Sequence, residues 1–148
     1  MQISIIHGPN LNLLGTRETD IYGNLGLSDL KNLLEKKYPE HDFLFFQSNH
    51  EGEIIDVIQQ SLTNKNPIVI NPGGYAHTSV AIHDALKSIK TPKIEVHLSH
   101  IYQRESFRHQ TITAAACDGI ISGLHFLGYL LAVSAIEKLL SKGTDGAI

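Results

Sequence analysis

Three short polar clusters contain the residue types from which acid–base chemistry is built: Asn10 with Arg17 and Tyr22; Asn71, Gly73 and His77 with Asp84 beyond; and Glu95, His97 and Ser99 with Arg104 and Arg108 beyond. In Glu95-Val96-His97-Leu98-Ser99-His100, strand alternation puts Glu95, His97 and Ser99 on one side. An imidazole beside a carboxylate is either a general acid whose tautomer the carboxylate fixes, or a core histidine satisfied by its neighbour. Arg104 and Arg108 follow at the spacing of one helical turn. Either could grip a substrate oxygen; the plain alternative is an ordinary surface cation.

The segment Asn71-Pro72-Gly73-Gly74-Tyr75-Ala76-His77-Thr78-Ser79 reads as a strand exit, a glycine turn and a helix start, the order that presents backbone amides to anions. It is neither the dinucleotide fingerprint nor a P-loop, because no Gly-Lys-Ser/Thr follows. His77 and Asp84 lie about two helical turns apart, so on one helix they would share a face, functional or merely solvated.

Gly8-Pro9-Asn10-Leu11-Asn12-Leu13-Leu14-Gly15 permits a sharp turn, which taken alone is structural. The polar stretch from Thr16 to Gly23 suits a mobile lid. If Arg17 and Tyr22 both enter a cleft, the cation favours the phenolate and lowers a pKa that is normally about 10; otherwise Tyr22 is a surface contact. Cys117 sits after Ala114, Ala115 and Ala116 as a small buried hydrophobe. His97-x-x-His100 is too loose for zinc, and no second Cys or His pair completes a set. No metal site is expected.

These clusters need elements to position them. Ile3 to Ile6, Phe43 to Phe46, Ile68 to Ile70, Lys93 to Leu98 and Gly119 to Ile121 read as strands. Helical spacing marks Leu27 to Leu34, Glu51 to Leu62, Ile82 to Ile89 and Leu130 to Leu140, with Thr78 or Ser79 as a cap for the third helix. Strands alternating with helices imply a three-layer α/β domain over residues 1–148, with helices on both faces of a parallel sheet. The expected order is 2-1-3-4-5, as in flavodoxin-like folds. Ligands then sit beyond the carboxyl ends of the strands, at the switch point, where all three clusters fall. The tail from Gly143 looks frayed.

The bulk composition excludes several classes. With 148 residues, 42% hydrophobic and 18% charged, the chain fits one ordinary domain. A net charge of −3 offers no basic field for nucleic acid. One cysteine allows no internal disulfide. The opening Met1-Gln2-Ile3-Ser4 lacks the basic and apolar regions of a signal peptide, and no run approaches the roughly 18 apolar residues of a membrane span. The cytoplasm is the expected compartment.

Taken together and in order, the motifs resemble one family, the type II 3-dehydroquinate dehydratases, from about Ile3 to Ala135. The opening Gly8-to-Gly15 motif with Arg17 and Tyr22-Gly23, then Gln47-Ser48-Asn49 with Glu51-Gly52, are similar to its first two strand exits and lid. Asn71-Pro72-Gly73-Gly74 with His77-Thr78-Ser79 and Asp84-Ala85, Glu95-Val96-His97-Leu98-Ser99 with Arg104-Glu105 and Phe107-Arg108, and Gly128-Tyr129 are similar to the rest. The resemblance implies dehydration of 3-dehydroquinate through an enolate, in the shikimate pathway or in quinate catabolism, with no cofactor. It implies Tyr22 as base, Arg17 holding its phenolate, and Asn10 positioning a water at the enolate oxygen. His97 would be the acid, assisted by Asn71 and oriented by Glu95. Leu98 and Ser99 would hold the substrate carboxylate, His77 and Arg108 the ring hydroxyls. Gly73 and Arg104 would line and support the site. The family's homododecamer of trimers would bring Asp84 from a neighbouring subunit. Two positions depart from the family: His100 stands where Asn is usual, and His125 where Gly is common, a place where positive φ would strain a side chain. Two other readings of the same residues are a non-catalytic flavodoxin-like module for a phosphorylated or nucleotide ligand, and a histidine-rich metal hydrolase.

Overall fold

The computed structural model describes residues 1–16 and 24–145, the last three as backbone only. Arg17, Tyr22 and most of the expected lid lie outside the described residues. Five strands, β1 (Gln2–His7), β2 (Asp42–Gln47), β3 (Ile68–Asn71), β4 (Lys93–His97) and β5 (Gly119–Ser122), form one parallel sheet in the order β2-β1-β3-β4-β5. This is the flavodoxin-like order expected from the sequence.

Among the described residues three α-helices link strands, α1 (Leu27–Lys37), α2 (Glu51–Asn64) and α3 (Val80–Ser88), 3-10 turns join β4 to β5, and α4 (Leu127–Asp145) follows the last strand. Alternation along the strands divides the core. Ile3, Ile5, Val69, Ile94 and Val96 face α1 and α4, meeting Leu30, Leu34, Tyr129 and Val133. Ile6, Ile68 and Ile70 face α2 and α3, meeting Ile54, Ile58, Ile82 and Leu86. Because β3 is covered on both sides, its four residues are all buried.

Local chemistry sets the ends of several elements. The Ser79 hydroxyl caps α3 by accepting the Ile82 amide at 2.9 Å, and its own proton goes to Glu51 at 2.6 Å. Helix α2 ends on Lys65 in the left-handed region, φ 61°.

Two expectations are corrected. His77 and Asp84 do not share a helix: His77 closes the 3-10 turn Gly73–His77, and α3 starts only after the Ser79 cap. Arg104 and Arg108 do not lie on one helix either, but after and within two separate 3-10 turns, Ile101–Gln103 and Ser106–Arg108.

Candidate active site

β1 leaves the sheet through Gly8, whose amide donates to the Asn71 carbonyl at 2.8 Å. A Cβ on Gly8 would stand 2.2 Å from the Pro72 carbonyl oxygen, so only glycine lets the two strand exits come this close. The approach is mutual, since Gly73 holds φ +60° with the Pro9 carbonyl 2.9 Å from where its Cβ would be. The Asn71 side-chain oxygen accepts the Gly73 amide at 3.1 Å and fixes that turn.

Asn10 takes a left-handed conformation, φ 68°, which asparagine tolerates better than most residues. Its amide donates to Asn49 Oδ1 at 3.0 Å. Gln47 Nε2 donates to the Gly8 carbonyl and to Asn49 Oδ1, each at 3.2 Å. The β2 exit therefore braces the first loop. The motif Gln47-Ser48-Asn49 has no role legible in the sequence alone.

The β4 exit carries a histidine–carboxylate pair. His97 Nε2 lies 2.7 Å from Glu95 Oε1, and Glu95 is wholly buried. Thr113, also wholly buried, donates its hydroxyl to Glu95 Oε2 at 2.6 Å. No periodicity or motif marks Thr113, because the contact joins two separate segments of the chain. Beyond His97 the turn is pinned from β5: the Ser122 hydroxyl donates to the Ser99 carbonyl at 3.0 Å and accepts the Ile101 amide at 3.1 Å. His125 does adopt positive φ, 51°, and its amide donates to the Leu98 carbonyl at 3.1 Å.

His77 Nδ1 lies 2.8 Å from the Gln110 carbonyl, an acceptor only, so that nitrogen carries the proton. The His77 and His97 rings stack with centroids 6.1 Å apart. Arg104 approaches the Ser99 hydroxyl at 3.4 Å, and Arg108 donates to Glu105 at 2.7 Å.

These exits enclose a cleft of about 170 Å³, below the roughly 300–1,000 Å³ of drug-sized pockets and suited to a small substrate. Nine expected site residues line it: Asn10, Asn71, Gly73, His77, His97, Leu98, Ser99, Arg104 and Arg108. Glu95 stands behind His97. Asp84 is not in the lining; its side chain is 70% exposed on α3 and pairs with His83 at 2.9 Å. Among the described residues the lining has two arginines, two histidines and no carboxylate, so the cleft favours an anion. Neither His97 nor His100 belongs to the one group of potential metal ligands among the described residues, Glu40, His41 and Glu137.

Below the β1 exit, His7 is enclosed against Tyr129, with ring centroids 5.5 Å apart. Burial lowers the His7 imidazole from 6.5 to about 4 and pushes the Tyr129 phenol up. Burial, and next the Glu95 charge, push the Cys117 thiol up to about 12, which fits an inert packing residue.

A doubly wound sheet whose carboxyl edge holds an anion-accepting cleft and a carboxylate-held histidine defines an α/β acid–base enzyme acting on a small acid. Residues 1–137 match the family described as Dehydroquinase class II. A 3-dehydroquinate dehydratase of Caldicellulosiruptor saccharolyticus is 51% identical over 142 residues, 94% of this chain and 98% of that protein. One from Fusobacterium nucleatum is 51% identical over 148 residues, 96% of this chain and all of the relative. The crystal structure of the type II dehydroquinase from Butyrivibrio crossotus superposes with a TM-score of 0.89 at 46% identity, covering 93% of this chain and 97% of the other. The chain belongs to the class II dehydroquinase family, a family of hydro-lyases.

Proposed function

We propose that the cleft dehydrates 3-dehydroquinate to 3-dehydroshikimate through an enolate, and that the described residues supply the acid half of the reaction. The observation that carries this reading is the buried Glu95–His97 pair facing a cleft with two arginines and no carboxylate. Elimination next to a ketone requires a base at C2, stabilisation of the enolate oxygen, and an acid for the departing hydroxyl.

His97 donates its proton to the C1 hydroxyl, which leaves as water while the enolate collapses to a conjugated enone. Asn71 assists at the same hydroxyl. Ser99 and the amides at Leu98 and Ser99 hold the substrate carboxylate, with Arg104 supporting Ser99. His77, with its Nδ1 proton committed to Gln110, and Arg108 take ring hydroxyls. Asn10 positions a water at the enolate oxygen. Tyr22, kept as phenolate by Arg17, removes the C2 proton; both assignments rest on the family motif. The chain works in the cytoplasm as a homododecamer of trimers, with Asp84 reaching a neighbour's cleft. Its exposed place on α3, outside its own cleft, supports that role. No helix among the described residues is long and apolar enough to cross a membrane.

Replacing the base tests the reading. Tyr22→Phe removes nearly all turnover of 3-dehydroquinate while ligand binding, measured by calorimetry, stays close to wild type. Near-normal turnover would remove Tyr22 from the mechanism.

A further inference from the structure

Thr113 opens the 3-10 turn Thr113–Ala116, which packs against α3, β4 and the His77 turn. The segment leading into it supports the cleft as well: the Ile112 amide donates to the Ala76 carbonyl at 2.7 Å, and the Gln110 carbonyl holds His77 Nδ1. Nothing in the reaction scheme uses Thr113 itself, although its side chain is fully enclosed and its hydroxyl has a single acceptor.

The geometry at Glu95 gives that hydroxyl a purpose. Each carboxylate oxygen has its own partner, His97 Nε2 at 2.7 Å on Oε1 and Thr113 Oγ1 at 2.6 Å on Oε2. An ionised carboxylate only accepts, so both partners must donate. The Nε2 nitrogen of His97 then carries a fixed proton, and Nδ1 is the nitrogen that exchanges a proton with substrate. Without the hydroxyl, Oε2 would have no partner, and Glu95 could turn about its last bond and release the ring.

We propose that Thr113 is a positioning residue for the proton-donating histidine: its hydroxyl holds the Glu95 carboxylate in one rotamer, and Glu95 keeps a proton on His97 Nε2, leaving the Nδ1 proton of the imidazolium as the one given up to the substrate. The proposal rests on His97 being the acid of the dehydration. Thr113 acts through Glu95 and touches no substrate.

The test compares Thr113→Val, which keeps the shape and loses the hydroxyl, with Thr113→Ser, which keeps the hydroxyl. Steady-state kinetics with 3-dehydroquinate and the nitrogen NMR shifts of His97 are read on both variants and on wild type. T113V is expected to lower kcat about tenfold or more, part of the roughly 10²–10⁴ that general acid catalysis contributes, with KM changed less than about threefold. T113S is expected to restore kcat. The His97 shifts are expected to leave the Nε2–H pattern in T113V and keep it in T113S. Unchanged His97 shifts in T113V overturn the proposal, as does wild-type kcat in that variant, or a T113S enzyme as impaired as T113V. If T113V does not fold, Thr113→Ala replaces it on the same readouts. An inactive wild type would remove the dehydration reading, and the nitrogen shifts would still decide the role of Thr113.

Discussion

Glu95 Oε1 lies 2.7 Å from His97 Nε2 with the whole of Glu95 shut away from water. A buried charge persists only when its partners are well placed, so this pair has one working arrangement. Glu95→Gln keeps the shape but removes the charge that stabilises the imidazolium. It is expected to lower kcat by about 100-fold with KM little changed, at the lower end of what an acid contributes. Steady-state kinetics on folded, assembled protein check this; kcat within a few-fold of wild type would show that Glu95 does not support the acid.

His7 makes stability depend on pH. In the unfolded chain its imidazole takes a proton near 6.5, in the folded chain only near 4. Between those values the unfolded state binds more protons, so stability rises with pH. The contribution is complete above about 6.5 and is lost as pH falls towards 4, roughly 3 kcal/mol in all. Urea unfolding at fixed protein concentration, at pH 7.5 and 4.5, should show the difference shrink by about 2 kcal/mol in His7→Asn. An unchanged difference would mean that other groups set the acid limit.

The strand exits predict a contrast between two glycines. A Cβ at Gly8 meets the Pro72 carbonyl at 2.2 Å, whereas one at Gly52, in the first turn of α2, meets nothing within 4 Å. Gly8→Ala should destabilise by about 3 kcal/mol or prevent folding, while Gly52→Ala should be neutral or stabilise by about 0.5–1 kcal/mol. Thermal unfolding of both variants decides it; equal effects would remove the close approach at Gly8 as a constraint.

The sheet is legible because most strands centre on short apolar runs that end in polar residues, as Ile68-Val69-Ile70 does before Asn71. Nine expected site residues line the cleft for the same reason: they lie at or beyond strand ends, and the parallel fold gathers strand ends on one edge. Spacing failed where a turn replaced a helix. His77 and Asp84 looked like neighbours on one face until the 3-10 turn and the Ser79 cap separated them. Supports that arrive from distant segments, such as Thr113 on Glu95 and Asn49 on Asn10, left no periodic signal at all.

Asp84 tests the assembly. Its side chain is exposed and does not line its own cleft, so the proposed catalytic contribution is to a neighbouring subunit. If the proposed dodecamer forms, Asp84→Ala should raise KM several-fold or shift the assembly towards trimers, read by kinetics and light scattering. Wild-type values on both would remove the cross-subunit role.

The most direct measurement is ultraviolet absorbance of the purified protein mixed with 3-dehydroquinate, with and without chelator and borohydride. Dehydration forms a conjugated enone, so absorbance should rise at the same rate with or without either reagent. A rise abolished by chelator or borohydride would contradict the route through Tyr22 and His97. No rise from folded, assembled protein would contradict the dehydratase reading itself.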